Sequence, residues 1–257
     1  MDQEYLNFAV KLAQEAGKLL IEKHKTAHNV IWKRPNDYKN EVDDLSDAMI
    51  RRAIRKKYPE HNICSEETDT LENGSEYSWV FDPLSGTIPY TSQVNDQFTV
   101  SIALLKNKKP ILGVINAPKR SELFVAVEGK GATCNGAPIK VSGADDIQKS
   151  IMGLDLGKEH RDDGIKYLEK LMAPEGVTSF FSTGCYTVPM TMVASGKLHA
   201  YLGSNLEPWD MAAASLIMRE AGAKVTNLTG RDWQYGDTSI LASNPTLHNK
   251  LLNFLGI

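Results

Sequence analysis

Cysteine is scarce in this chain of 257 residues, and the three present, Cys64, Cys134 and Cys185, are odd in number and far apart. With no Cys-x-x-Cys pair, neither a disulfide framework nor a thiolate zinc site is suggested. Long apolar runs are missing too. The best candidate, Met211–Met218, falls far short of the roughly 18–20 residues that a membrane helix needs. Basic excess is also absent, since 29 Lys+Arg stand against 32 Asp+Glu for a formal charge of −3. That balance argues against a nucleic-acid binder working through a broad basic face. Asp2 and Glu4 near the start do not fit the basic-then-apolar pattern of a secretory leader. Against these absences stand 42% hydrophobic and 24% charged residues, ordinary for a globular protein able to bury a large core. The expectation is a cytoplasmic protein without membrane or nucleic-acid partners.

Leu6, Ala9, Val10, Ala13, Ala16 and Leu20 recur at helical spacing, so the chain opens on an amphipathic helix. A second helix is expected from about 43 to 57, stopped by Pro59, after a charged, turn-rich stretch at 33–42. From Ser78 the period changes. Trp79-Val80-Phe81 reads as a strand stopping at Asp82, and Phe98–Leu104 alternates as strands do. Further strands are expected at 111–115, 123–127, 178–182, 198–202, 224–227 and 239–242, with helices at 187–194, 209–221 and after Asn244-Pro245. Gly196 and Gly222 suit C-caps, and Gly129–Gly136 an irregular connection. The sequence thus reads as layered α/β with a lobe boundary near 143–149, giving lobes at 1–145 and 146–257.

Three segments place acids where elements begin or end. They are Ser65-Glu66-Glu67-Thr68, Asp82-Pro83-Leu84-Ser85-Gly86-Thr87 and Pro208-Trp209-Asp210. Separately each has a bland explanation: a solvated loop for Glu66-Glu67, a dipole-complementing helix acid for Asp210. Together they form an oxygen-rich donor set without His or Cys, which suits a hard cation such as Mg²⁺. A threonine hydroxyl and open backbone N–H groups beside such ions can position water and hold phosphate. The residues therefore point to metal-assisted hydrolysis of a phosphate ester.

These segments resemble the signatures of the inositol monophosphatase family, within the lithium-sensitive, Mg²⁺-dependent sugar phosphatases. The Gly-Glu-Glu loop stands here as Ser65-Glu66-Glu67. The W-x-x-D-P-[IL]-D-G-T segment is Trp79 to Thr87, and the W-D-x-A-A helix is Trp209 to Ala213, ending in Glu220-Ala221-Gly222. The resemblance spans essentially the whole chain and implies an α-β-α-β-α sandwich. It also implies hydrolysis of a small phosphorylated metabolite with two or three Mg²⁺, in a homodimer. By resemblance Glu66, Asp82 and the Leu84 carbonyl hold one ion. Asp82, Asp210 and position 85 hold a second, and Glu67 and Asp43 support a weaker one. Thr87, with Glu66 and Asp43, would orient and deprotonate the attacking water. Leu84, Ser85, Gly86, Thr87, Gly184, Cys185, Tyr186 and Asp210 would bind the substrate.

Ser85 departs from the family's Asp, removing a charge and a strong oxygen ligand. The second ion is expected to bind less well, with roughly a 10–100-fold loss of affinity or activity. The residue is either an introduced change that holds the enzyme inactive or a natural one that reduces its activity. Gly184-Cys185-Tyr186 replaces the family's Gly-Thr-Ala or Gly-Ser-Ala, and Gly203 falls where animal relatives carry an inositol-contacting acid, so the ester itself stays open. Inositol monophosphate, a fructose bisphosphate and a nucleotide 3′-phosphate all fit, and the family also has bacterial members implied to act through protein contacts with the transcription machinery. Asn40, where many relatives have Thr, carries little weight. Other chemistries find less support. His24 and His28 lack the Glu of a zinc helix and read as a solvated face, Gly129-Lys130-Gly131 lacks the P-loop order, and no Gly-x-Ser-x-Gly elbow occurs. Asp82-Pro83-Leu84 lacks the second Asp of a phosphoaspartate phosphatase, and Cys185 has no evident His partner.

Overall fold

The apolar stripe beginning at Leu6 forms the buried face of α1 (Gln3–Lys23) in the computed structural model, which describes residues 3–26 and 29–257. The charged stretch that follows is a small hairpin, β1 (Ile31–Arg34) and β2 (Asp37–Lys39), leading into α2 (Glu41–Lys57). Next come β3 (Asn62–Ser65), β4 (Tyr77–Ser85), the short α3 (Thr87–Ser92), β5 (Thr99–Lys106), β6 (Lys109–Ala117), β7 (Glu122–Val127), β8 (Ala132–Cys134) and β9 (Ala137–Pro138). The remainder is β10 (Ile151–Leu156), α4 (Asp162–Met172), β11 (Ser179–Phe181), α5 (Thr187–Ala194), β12 (Ala200–Ser204), α6 (Pro208–Glu220), β13 (Lys224–Thr226), β14 (Ser239–Ser243) and α7 (Pro245–Leu255).

Strands β3 to β9 form a seven-stranded sheet in sequence order, and a five-stranded sheet runs β11-β10-β12-β14-β13. Side-chain alternation along the strands decides what each face meets. Ile63, Trp79, Phe81, Val100, Ile102 and Leu104 bury against α1 and α2. Their neighbours Cys64, Val80, Ala103 and Leu105 bury on the opposite face, with α5 and α6. The second sheet divides likewise: Tyr201, Ile240 and Ala242 join the α5–α6 core, whereas Leu202 and Leu241 face α4 and α7. The order is α-β-α-β-α, as the resemblance implies. It also explains the apolar run Met211–Met218, which is buried between two sheets and not in a lipid phase. Each fully buried large side chain there contributes about 1.5–3 kcal/mol. Among the described residues no helix is long and apolar enough to cross a membrane.

The sequence reading differs from the structure at several elements. β10 and α4 were not expected, because Gly153, Gly157 and Gly164 interrupt both periodicities. The Gly129–Gly136 connection contains β8, which continues the sheet edge. His24 does not sit on a solvated face; it is buried with ring centroids 4.9 Å from Tyr90 and 4.9 Å from Phe98. His28 and Asp2 lie outside the described residues.

Candidate active site

Strand β4 does not stop at Asp82. It continues to Ser85, with its pairing to β5 shifting register between Asp82 and Ser85. Pro83 falls inside this bulge, where its missing N–H breaks no ladder bond. The bulge folds back on itself, since the Leu84 N–H donates to Asp82 Oδ1 at 3.0 Å. The Ser46 hydroxyl holds the Pro83 carbonyl at 2.9 Å. At Gly86 φ is 90°, and a Cβ there would stand 2.7 Å from the Gln97 carbonyl and 2.8 Å from Cys185 Cβ. Only glycine fits both the left-handed backbone and the space.

Thr87 Oγ1 lies 2.9 Å from Asp43 Oδ1 and 3.2 Å from the Leu84 carbonyl. Asp43 is in turn fixed by the start of α2, where Asn40 is the N-cap. The Asn40 N–H donates to Asp43 Oδ2 at 2.8 Å, and Asn40 Oδ1 accepts from the Val42 N–H at 2.7 Å. Asn40 therefore matters more than its departure from Thr suggested. Asp210 has the same local setting at the start of α6, where its Oδ2 accepts from the Glu207 N–H at 2.9 Å.

Glu66, Asp82 and Asp210 line one cavity of about 720 Å³, together with the turn residues 84–87, Gly184 and Tyr186. Three expected site residues stand behind its wall. Asp43 reaches it through Thr87. Glu67 is held by Lys33 at 2.7 Å and Lys39 at 3.5 Å. The fully buried Cys185 places Sγ 3.5 Å from Ser85 Oγ and 3.3 Å from Thr187 Oγ1.

Burial, then the charge of Glu66, pushes Asp82 and Asp210 well above the usual carboxylate range. Burial, then the charges of Glu67 and Glu66, raises Asp43 to about 8, although hydrogen bonds from Asn40 and Thr87 pull the other way. Among the described residues no three His, Cys, Asp or Glu side chains close on one point as tightly as a ligand cage. The donor set nonetheless fits a hard dication. It is carboxylate and carbonyl oxygen throughout, and it gathers like charges that a cation would stabilise.

Sequence reasoning missed Lys33, Lys158 and Asp155. Lys33 Nζ lies 3.2 Å from Glu66, and Lys158 Nζ contacts Asp37 and stands 3.8 Å from Glu66. Lys33 comes from a hairpin exposed along β1, which leaves no buried alternation to read. Lys158 and Asp155 belong to the unexpected β10 and the loop beyond it.

A model of the inositol monophosphatase family matches residues 1–255, and the chain belongs to that family, which is phosphatase-type and generally metal-dependent. It is 34% identical over 253 residues to the Nus factor SuhB of Escherichia coli K12, covering 96% of this chain and 94% of that protein. Against the inositol monophosphatase of Dictyostelium discoideum the figures are 31% over 259 residues, with 98% and 95% covered. The fold superposes on the extragenic suppressor protein suhB of Bartonella henselae with a TM-score of 0.92 at 28% identity, covering 98% of each chain. For an IMPase of Thermotoga maritima the TM-score is 0.88 at 28% identity, with 98% and 97% covered.

Proposed function

We propose that this chain is a Mg²⁺-dependent phosphomonoesterase acting on a small phosphate ester, impaired at one of its ion positions by Ser85. The observation that carries the reading is the convergence of Glu66, Asp82 and Asp210 on one cavity beside the Gly86–Thr87 turn. Glu66, Asp82 and the Leu84 carbonyl would hold one ion; Asp82, Asp210 and the weak donor Ser85 a second; Glu67 with Asp43 a third, looser one. When bound, Mg²⁺ supplies Lewis acidity, lowering the pKa of water and offsetting charge on phosphoryl oxygens. Thr87 Oγ1, donating to Asp43, keeps its lone pairs free to orient the attacking water, and Glu66 receives that water's proton. Backbone N–H groups of residues 85–87 hold the phosphate, with Gly184 and Tyr186 closing the far side. The lobes 1–145 and 146–257, a homodimer and a cytoplasmic location belong to the same proposal.

The test is phosphate release, with and without Mg²⁺, from inositol, fructose bis-, glucose and adenosine 3′-phosphates by the chain and by Ser85→Asp. Ser85→Asp is expected to raise Mg²⁺ affinity and turnover by roughly 10–100-fold. If neither protein releases phosphate from any ester while both stay folded, the hydrolase reading is wrong. A non-catalytic, protein-binding role then takes its place, a role that Ser85 and the Nus-factor name of some relatives favour.

A further inference from the structure

Asp155 is a buried acid for which phosphate-ester chemistry at the metal side has no use. It sits on β10, 5% exposed, and lines the same cavity as Asp82 and Asp210. Its Oδ1 accepts from the Ser182 hydroxyl at 2.7 Å and its Oδ2 from the Tyr201 hydroxyl at 3.1 Å. Ser182 follows β11 and Tyr201 lies on β12, so the strands on both sides of β10 aim this carboxylate. A carboxylate has about four acceptor positions, and the two hydroxyls occupy two of them. Burial raises Asp155 to about 7 even though both hydroxyl bonds favour its charged form. Keeping an acid here therefore opposes its own desolvation, a pattern typical of functional groups.

The surrounding sheet leaves this part of the wall to Asp155. Its register partner on β12 is Gly203. A Cβ at Gly203 would stand 2.5 Å from Leu206 Cδ1, 3.0 Å from Tyr201 Cε1 and 3.1 Å from Ile240 Cγ2. Gly203 itself offers no side chain at this register position, so the acid facing the cavity here is the one on β10. Tyr186 lies in electrostatic reach of both ends of the cavity: burial, then Asp210, then Asp155, all raise its phenol. An ester whose phosphate sits by residues 85–87 and Asp210 would extend its alcohol part past Tyr186 toward Asp155.

We propose that Asp155 is a specificity-determining residue whose carboxylate accepts hydrogen bonds from free hydroxyls on the alcohol part of the substrate, selecting polyol monophosphates. The inference rests on the phosphomonoesterase reading. A second phosphate at this end would meet a like charge, and an apolar group would leave the carboxylate without its partner. A merely structural Asp155, tying β10 to its neighbours, would instead affect all esters alike.

Asp155→Asn and the unaltered chain are compared on myo-inositol 1-phosphate and on p-nitrophenyl phosphate, whose leaving group bears no free hydroxyl. In the variant KM for the inositol ester is expected to rise at least tenfold more than KM for the aryl ester, with kcat moving less than KM. Equal changes on both esters, or none on either, overturn the proposal. Separately, myo-inositol is titrated calorimetrically into both proteins, which needs no turnover. At least tenfold weaker binding by the variant is expected, and equal affinities, or no binding by the unaltered chain, overturn the proposal. If neither the unaltered chain nor Ser85→Asp hydrolyses either ester, the phosphatase reading fails while the titration still decides on Asp155. Should Asp155→Asn not fold, Ser182→Ala releases one oxygen of the carboxylate and should give the same ester-selective rise at smaller size; an unselective change there counts against the proposal.

Discussion

The cavity wall bearing Glu66, Asp82 and Ser85 comes from consecutive turns at the ends of β3 and β4, where neighbouring residues in sequence stay neighbours in space. The wall bearing Asp155, Ser182 and Tyr201 comes from three segments spread over 47 positions, joined only by the pairing of β10 with β11 and β12. The first wall carries the charge that a metal demands and is written as short motifs. The second carries a single acid, and its meaning depends on a register that no motif records. Chemistry held within a turn is legible in sequence; chemistry assembled across a sheet is not.

The largest test of this contrast is Asp82→Asn. It should lower phosphate release by at least about 100-fold and abolish Mg²⁺-induced thermal stabilisation, because under the proposed function an ion loses a direct ligand. Asp155→Asn should leave a clear Mg²⁺-induced shift in Tm. If it erases that shift as Asp82→Asn does, the two walls are not separate in function. Gly86→Ala probes the turn itself. Forcing a Cβ onto a φ of 90° within 2.7 Å of the Gln97 carbonyl should cost about 2 kcal/mol or more, read as a lower urea midpoint.

The far wall has its own signature in pH. Because folding raises Asp155 to about 7, the folded state holds this proton more tightly than the unfolded chain does. Its contribution to stability is therefore greatest below pH 4 and is lost as pH rises from about 4 to about 7. Between pH 5 and pH 8, without metal, the unfolding free energy of Asp155→Asn should gain on that of the unaltered chain. A constant difference across that range contradicts the placement of Asp155 in a desolvated wall. Asn40→Ala should give the smallest effect, about 1 kcal/mol for the lost cap, again by urea midpoint. It should also slow turnover if Asp43 and Thr87 act together.

The layered fold and most strands were legible because the alternation along β4 and β5 is dictated by two buried faces. α5 was legible to its ends. β10 and α4 were not, since their glycines serve close packing that only the assembled fold reveals. Asp82 was legible as a candidate for the cavity it lines, but the strand running past it was not, because a bulge tolerates Pro83 where a regular ladder would not. Glu67 and Cys185 were legible as members of a motif. Their positions behind the wall follow from Lys33 and Lys39 on one side and Ser85 and Thr187 on the other.

The sequence by itself determined the donor chemistry, the order of the acidic turns and the hydroxyl that Ser85 places among them, since these depend on residue identity and spacing of a few positions. Tertiary structure alone decided which acids share the cavity, that Asn40 fixes Asp43, and that Asp155 faces the same space as Asp210. Those outcomes depend on strand register, layer packing and desolvation, which act between residues far apart in the chain.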